Sequence, residues 1–264
     1  MIKKNFKFRS VRFCMLWIFA ALVFSVFTGC KDDFEGEAYI ADQAYDLEIP
    51  ADFPALAFDR DKNPVTVNGV ALGKKLFYEG RLSRNNSISC GFCHIQENAF
   101  THHGHPVSHG IDNRLGIRNA PPIQNMAFLS NYTWDGVSHN LDERSLVPIT
   151  TDFEMDSSMP EVVGKLNTDA NYKKLFKAAF GDENITGERV LKAISQFMAT
   201  MVSADSKYDR VLKGKTAFTA EDNEGYQLFR NNCASCHSGA LFTDESFRNT
   251  GMYYNAQYND TGRY

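Results

Sequence analysis

The sequence predicts a mainly α-helical protein that contains two related units and long irregular loops. Apolar residues between positions 187 and 202 recur at the three- and four-residue spacing of one helix face. No stretch shows the sustained alternation of apolar and polar residues that is typical of a half-buried strand. A five-residue pattern, Cys-x-x-Cys-His, occurs at 90–94 and again at 233–237. The spacing therefore indicates the fold class, and the repeated pattern indicates two units.

Turn and capping residues place the ends of several helices. Residues 160–180 are expected to form two short helices, and Gly181 ends the second of them. Thr219 together with Asp222 has the pattern of a helix N-terminus shortly before the second copy of the motif. Residues 112–160 hold few helical patterns and much Asn, Gly and Pro. We expect that loop-rich segment to be functional or to lie at an interface.

An internal repeat surrounds the two copies of the motif. A short helix ending in Leu-Phe precedes each copy, at 73–77 and at 225–229. The dipeptide Phe-Thr follows each copy, at 100–101 and at 242–243. The same order of features, found twice, predicts two related domains.

The predicted domains follow an N-terminal tether. Residues 30–68 are acidic and contain Pro50, Pro54 and Pro64, so we expect an extended tether and arm. The first domain is placed at 69–204 and the second at 205–264. At 264 residues the chain is long enough for two cores.

Residues 1–29 have the pattern of a secretory signal peptide. A basic start without acidic residues precedes an almost continuous apolar run from Phe13 to Phe27, which is short for a membrane span. The run ends in Thr28-Gly29-Cys30, which resembles the bacterial lipobox. We expect an exported protein, in the periplasm or at the outer membrane, with a lipid anchor on Cys30. A plain signal peptide and an uncleaved membrane anchor are the alternatives.

The mature body is acidic. Removing the leader changes the net charge from −4 to −9, because five basic residues and no acidic residue leave with it. This balance argues against nucleic acid as a partner and suits a basic protein partner.

Four of the six cysteines belong to the repeated motif. Two thiols one helical turn apart reach the two vinyl groups on one edge of a haem, and the next histidine then lies under the iron. A four-cysteine zinc site would leave both histidines without a role, and a thioredoxin-like pair predicts a βαβ context that the sequence lacks. We therefore predict two covalently bound haems c in cytochrome c-like domains. The residues that hold them are Cys90, Cys93, His94, Cys233, Cys236 and His237.

The sixth ligand of each iron separates an electron carrier from an enzyme. A carrier fills that position permanently, whereas an enzyme leaves it open or opens it for substrate. Residues 101–109 contain four of the seven histidines, directly after the first motif. We predict His109 as a candidate distal ligand or near neighbour of the first haem. A solvated polar loop is the alternative.

Short motifs in residues 69–263 resemble, in order, those of the bacterial dihaem cytochrome c peroxidases, a family related to the MauG enzymes. The resemblance implies that the first haem binds hydrogen peroxide and that the second receives electrons from a small cytochrome c or a copper protein. Peroxide is then reduced to two waters. The matching motifs are Leu72-Gly73-Lys74-Lys75-Leu76-Phe77, Arg81-Leu82-Ser83, Ile88-Ser89-Cys90, Arg118-Asn119-Ala120-Pro121, Trp134-Asp135-Gly136, Pro148-Ile149, Glu154-Met155, Phe242-Thr243-Asp244 and Asn249-Thr250-Gly251.

The same resemblance implies roles for three further residues. Trp134 matches the tryptophan that lies between the two haems; core packing is the alternative. Glu154 matches the glutamate of the distal pocket, where cleavage of the O–O bond needs a group that moves a proton. A surface loop is the alternative for Glu154. Asn119 matches a residue that lines a calcium site between the domains.

The chain departs from the family pattern at three places. The family's displaceable histidine aligns with Ile111 rather than His109, so a first haem without a distal ligand is the second expectation. Arg144 stands where relatives often carry glutamine, and a fixed cation there would help a departing hydroxide. Only 27 residues follow His237. We therefore expect the family's C-terminal end to be missing and the second domain to be incomplete.

The predicted function is a dihaem peroxidase that takes electrons from a small donor protein. A dihaem electron carrier without peroxidase activity is one alternative, and a MauG-like oxidase that acts on a partner protein is another. A homodimer is a further expectation.

Overall fold

A computed structural model of the protein describes residues 43–263. The predicted signal peptide and the lipobox cysteine Cys30 lie outside the described residues. Within them, no helix combines the length and the apolar character that a membrane crossing requires. The α-helices are α1 (Val67–Phe77), α2 (Cys90–Cys93), α3 (Leu141–Arg144), α4 (Leu146–Thr150), α5 (Met159–Asn167), α6 (Ala170–Phe180), α7 (Gly187–Ala199), α8 (Lys207–Leu212) and α9 (Ala220–Asn232).

The described chain contains no β-sheet, which confirms the predicted mainly helical fold class. Four short 3₁₀ helices interrupt the loops, and only isolated antiparallel bridges occur, for example between Ala44 and Thr66. The 3₁₀ helices are Gly80–Leu82, Gln96–Asn98, Ile111–Asn113 and Met126–Phe128. The described residues, 43–263, group into one contact unit. The division into domains at 204 and 205 stays a prediction.

The core forms where α1 crosses α7. Both helices carry an apolar face, and α6 and α3 pack beside the crossing. The contact is close because Gly73 has no side chain and lies against the backbone carbonyl of Ala193. Burial of apolar surface here stabilises the unit that also carries the first haem motif. The largest fully buried side chains are Tyr172, Phe77, Phe176, Leu72, Leu76, Leu82, Ile111, Ile149, Leu166, Ile194, Val162 and Val190.

Gly73→Ala is expected to destabilise the folded protein by about 1–3 kcal/mol, because the new methyl group would collide with the Ala193 carbonyl and force α1 and α7 apart. Chemical denaturation of the haem-loaded protein measures the change. Gly164→Ala is the matched control. Gly164 lies exposed in α5 with open space around it, so alanine there should stabilise by about 0.5–1 kcal/mol. Equal effects at both positions would contradict the close crossing.

Local capping explains where the helices begin and end. The side chain of Thr186 accepts a hydrogen bond from the Arg189 amide and starts α7. Gly181 adopts a left-handed conformation, with φ of 88°, and ends α6 as predicted. Thr219 and Asp222 form a reciprocal capping box at α9, which confirms the predicted N-terminus. The helix predicted over 187–202 ends at Ala199.

A buried polar network ties the N-terminal arm to α3 and α7. The Asn63 amide donates to Asp142 Oδ1 at 2.7 Å and to Ser195 Oγ at 3.0 Å. Gln196 donates to Asn63 Oδ1 at 2.8 Å, and the Ser195 hydroxyl donates to Asp142. Because these groups are buried, each bond would be costly to lose. The network fixes α3, which carries Arg144 at its C-terminal end.

Residues 205–263 have much less core. Asp209 is the one buried residue in this range, and α9 buries none. Aromatic rings provide most of the packing: Phe242 contacts Tyr208 at 5.1 Å and Phe229 at 5.6 Å, measured between ring centroids. The weak apolar pattern of the sequence in this range agrees with this exposure.

Candidate haem site

One cavity, with a volume of about 340 Å³, collects most of the predicted site residues. The first Cys-x-x-Cys-His motif forms part of its wall, and residues from 108–155 form most of the rest, together with Phe77 and Met198. The residues discussed below that line it are Cys90, Cys93, His94, Arg118, Asn119, Trp134, Asp135, Arg144 and Glu154. The second motif is not part of this lining.

The first motif is folded as one helical turn. The amide of His94 donates to the Cys90 carbonyl at 2.9 Å, which closes the turn and places the two thiols one helical turn apart on α2. The His94 Nδ1–H donates to the carbonyl of Phe100 at 2.8 Å. This carbonyl is presented by a left-handed turn, with φ of 56° at Ala99 and at Phe100. The bond orients the ring, and Nε2 is the candidate iron ligand.

The second motif repeats this local structure. The His237 amide donates to the Cys233 carbonyl at 3.0 Å, and His237 Nδ1 pairs with the Phe242 carbonyl at 3.1 Å. Phe242 has a positive φ of 54°, like Phe100 in the first motif. The internal repeat of the sequence is therefore also a repeat of backbone geometry.

The cysteines of the two motifs carry free thiols. Burial raises the pKa of Cys90 and of Cys93 to about 12. Across residues 43–263, no three His, Cys, Asp or Glu side chains converge as a metal site. Burial also lowers the pKa of His94, which keeps the imidazole neutral for ligation.

Glu154 and Arg144 face the cavity together. Both side chains are only half-buried because they border the open space. Loss of solvation raises the pKa of Glu154, and the Arg144 cation opposes that rise. Arg144 Nε–H donates to the Tyr132 carbonyl at 3.1 Å, whereas its Nη1 is buried without a hydrogen-bond partner. The cavity thus holds a carboxyl group and a cation with unused donor capacity.

Trp134 and Asn119 are joined at the edge of the cavity. The indole N–H of Trp134 donates to the Asn119 carbonyl at 2.8 Å, and 56% of the tryptophan is exposed. The Trp134 ring is therefore not packed in the core, which was the alternative considered from the sequence. The side-chain oxygen of Asn119 is buried and lacks a partner.

Arg118 forms a clasp, a set of ion pairs with Asp135 and Asp260, that the local sequence does not predict. It donates to Asp135 at 2.7 Å and to both carboxylate oxygens of Asp260, at 2.5 and 2.7 Å. These bonds join the segment around Trp134 to residues that follow the second motif. The two motifs Arg-Asn-Ala-Pro and Trp-Asp-Gly were visible in the sequence, but their pairing through Arg118 and Asp135 was not.

The ring of His109 lies in a histidine cluster. Its Nδ1 pairs with Asn113 Oδ1 at 3.0 Å and its Nε2 with His105 Nδ1 at 3.1 Å, while the His102 ring lies 5.8 Å away between centroids. His109 does not line the cavity, although its carbonyl accepts a bond from Cys93 Sγ at 3.4 Å. Ile111 is fully buried in the core. The distal-ligand role of His109 stays a prediction.

The family model for di-haem cytochrome c peroxidase matches residues 67–217. The methylamine utilization protein MauG of Methylophilus methylotrophus is 34% identical over 195 residues, which cover 72% of this chain and 58% of that protein. The cytochrome c peroxidase Ccp of Escherichia coli is 36% identical over 194 residues, covering 72% and 41%. The chain thus spans about half the length of these curated relatives.

Solved structures show the same fold. The crystal structure of a MauG-like protein associated with microbial copper homeostasis matches with a TM-score of 0.72 and 32% identity, over 76% of this chain and 60% of that one. Given the family model, the relatives and the cavity built around the first motif, the chain belongs to the dihaem cytochrome c peroxidase family.

Proposed function

We propose that the protein reduces hydrogen peroxide to water at a haem held by Cys90, Cys93 and His94. The observation that carries this proposal is the shared cavity, in which Glu154 faces the attachment motif. The haem, when bound, supplies the electron transfer to peroxide. Each peroxide takes up two electrons and two protons and yields two waters. The electrons are proposed to come from a small cytochrome c or cupredoxin through the haem held at 233–237.

His94 and Glu154 have separate tasks in this proposal. His94 is held by the Phe100 carbonyl, so its ring orientation and neutral tautomer are set before the cofactor arrives. Glu154 accepts a proton from one peroxide oxygen and returns it to the other, so that the leaving group departs as water rather than hydroxide. Burial supports this task, since a raised pKa brings the carboxyl nearer to the operating pH.

Trp134 is proposed to carry electrons between the two haems. Its ring lines the cavity of the first haem, and the Arg118 clasp connects its neighbour Asp135 to a segment that follows the second motif. The hydrogen bond from the indole N–H to Asn119 holds the exposed ring in one position. A fixed ring is suited to electron transfer between two redox groups.

A MauG-like oxidase is the second candidate, because two of the relatives are MauG proteins. Such an enzyme would oxidise tryptophan or tyrosine side chains of a partner protein. The dihaem carrier is the remaining alternative, with the sixth position of both irons filled. His109 bears on this alternative: its ring is engaged by His105 and Asn113, which supports an open position at the first haem.

Mixing the haem-loaded protein with peroxide and reduced small cytochrome c tests the function. The peroxidase proposal expects two donor molecules to be oxidised for each peroxide consumed. A carrier would leave peroxide unconsumed. A MauG-like oxidase would consume peroxide without the donor and would add oxygen to, or cross-link, aromatic residues of its partner. Absorbance of the donor and peptide mass analysis separate the three outcomes.

Calcium binding at Asn119 is proposed on the buried, unpartnered oxygen of its side chain. Oxygen ligands suit Ca²⁺, and such an atom is costly to leave without a partner. Equilibrium dialysis with ⁴⁵Ca²⁺ should show binding that Asn119→Ala weakens. Equal binding by both proteins would contradict the site.

Export and lipid anchoring are proposed from the sequence of residues 1–30, which the structure does not describe. A small-residue run before Cys30 supports cleavage and lipidation at that cysteine. Mass analysis of the mature N-terminus in a Gram-negative host tests the proposal, because an unmodified N-terminus would contradict it.

A further inference from the structure

One nitrogen of the Arg144 guanidinium is buried without a hydrogen-bond partner. Arg144 lies at the C-terminal end of α3, and its guanidinium group lines the cavity of the first haem motif. Among residues 43–263 it takes part in none of the ion pairs. Its Nη1 nitrogen is buried and makes no hydrogen bond. A buried cationic donor without a partner is costly, so a ligand of the cavity is the natural partner for it.

The surroundings of Arg144 make it a fixed charge rather than a mobile one. The Nε–H bond to the Tyr132 carbonyl anchors the guanidinium plane, and Tyr132 itself is buried. The carboxylate of Asp142, two residues earlier in α3, is held by Asn63 and Ser195. Hydrogen bonds to Asp142 thus hold α3, and the bond from Nε–H to Tyr132 holds the guanidinium. The free Nη1 therefore keeps a defined position.

Glu154 is the ionisable group that shares the cavity with Arg144. The two side chains influence one another electrostatically, since the cation lowers the pKa of Glu154 while burial raises it. No hydrogen bond joins them within the described chain. They therefore interact electrostatically and line the same cavity without a direct hydrogen bond.

We propose that Arg144 makes this cavity a binding site for small anions, and that in peroxide reduction it stabilises the negative charge on the peroxide oxygens. The inference rests on the proposed peroxidase function and names the residue that would bind the charged form of the substrate. The relevant ligands are hydroperoxide, hydroxide and small inorganic anions such as fluoride. A guanidinium N–H is a strong donor to such anions because the hydrogen bond is charge-assisted.

Peroxide reduction at this site begins with a proton transfer from HOOH to Glu154. HOOH gives one proton to the Glu154 carboxylate, so hydroperoxide and a neutral carboxylic acid form. Arg144 Nη1–H donates to the resulting anionic oxygen. The hydroperoxide thus replaces the Glu154 carboxylate as the negative charge beside the guanidinium. When the O–O bond breaks, Glu154 returns the proton to the departing oxygen, which leaves as water. The remaining oxygen takes up two electrons, from the reduced cytochrome c or cupredoxin named above, and two protons from solvent, and it leaves as the second water.

Fluoride binding to the oxidised, haem-loaded protein tests the anion site without turnover. Sodium fluoride is titrated and the haem absorption recorded, at a single pH and ionic strength. Arg144→Gln is expected to weaken fluoride binding at the first haem by roughly 10- to 100-fold, because one charge-assisted hydrogen bond is lost. Arg144→Lys keeps the charge but not the planar fork, so its affinity should lie between those of the other two proteins.

Three controls make the result specific. Arg114→Gln removes an exposed arginine that bonds to Asp152 and lies outside the cavity lining, and it should leave fluoride affinity unchanged. The second haem, whose motif is also outside this lining, serves as an internal reference. Haem content and melting temperature are measured for each variant. Should Arg144→Gln lose its haem, Arg144→Lys alone decides the comparison.

Unchanged fluoride affinity in both Arg144 variants would overturn the proposal, as would a first haem that binds no fluoride in the unaltered protein. A haem propionate is the competing partner for Nη1. In that case Arg144→Gln would change haem retention or reduction potential but not fluoride affinity, which also overturns the anion site. Because fluoride is not reduced, these outcomes are independent of whether the protein proves to be a peroxidase.

Discussion

Replacing Cys90 and Cys93 together by serine is expected to leave a protein with one haem and no peroxide reduction. Serine cannot form the thioether bonds, and His94 alone does not retain a haem outside the cell. The remaining haem, on Cys233 and Cys236, lies outside the cavity that contains Glu154. Mass analysis of the intact protein should show one macrocycle fewer, and peroxide consumption should fall to the level of the haem-free chain.

The second motif provides the matched control for this experiment. Replacing Cys233 and Cys236 by serine removes the other haem but leaves the cavity intact. That variant should still react with peroxide once its first haem is reduced by a chemical reductant, while oxidation of the protein donor is lost. Peroxide reduction that survives in the Cys90 and Cys93 variant would contradict the assignment of the first haem as the reaction site.

Local chemistry explains what could be predicted from the sequence. Caps and turns depend on neighbouring residues. The end of α6 at Gly181 and the start of α9 at Thr219 and Asp222 could therefore be predicted from the sequence alone. The haem motif is equally local, because both cysteines and the histidine lie within one turn of helix. The carbonyl that orients His94 comes from Phe100, only six positions later.

Long-range pairing explains what could not be predicted. Arg118 and Asp260 are 142 positions apart, and nothing in either local sequence identifies the partner. Asn113 and His105 orient the His109 ring through hydrogen bonds to its two nitrogens. These hydrogen bonds compete with binding of that ring to the haem iron. Nor does the sequence reveal that one nitrogen of Arg144 is buried without a partner, since this depends on how α3 and the loop at Tyr132 meet.

The conformation of the Glu154 segment also needed the fold. The Glu154 carbonyl accepts the Ile111 amide at 2.7 Å, and Gly110 lies against the Glu154 backbone, where a Cβ atom would not fit. These contacts hold the turn that directs the carboxyl toward the cavity. The family resemblance identified Glu154, and the backbone contacts supply the physical reason that it faces the first haem motif.

Glu154→Gln is expected to slow peroxide reduction by roughly 10²- to 10⁴-fold while haem content stays unchanged. Glutamine keeps the size and polarity of the side chain but cannot accept a proton. Stopped-flow measurement of peroxide consumption gives the rate. Glu143→Gln is the matched control, because Glu143 is exposed in α3, one position from Arg144, and is not part of the cavity lining. Its rate should equal that of the unaltered protein.

The pH profile distinguishes a proton-moving role for Glu154 from a purely structural one. The base form is required, so the rate falls as pH drops through the pKa of Glu154, which burial raises above its usual range. Arg144 is the charged side chain that opposes this rise, and the facing thiol of Cys93 becomes an uncharged thioether once haem is attached. Arg144→Gln should therefore move the acid limb to higher pH, and Glu154→Gln should remove it. An acid limb that persists unchanged in Glu154→Gln would assign the titration to another group and exclude Glu154 as the base.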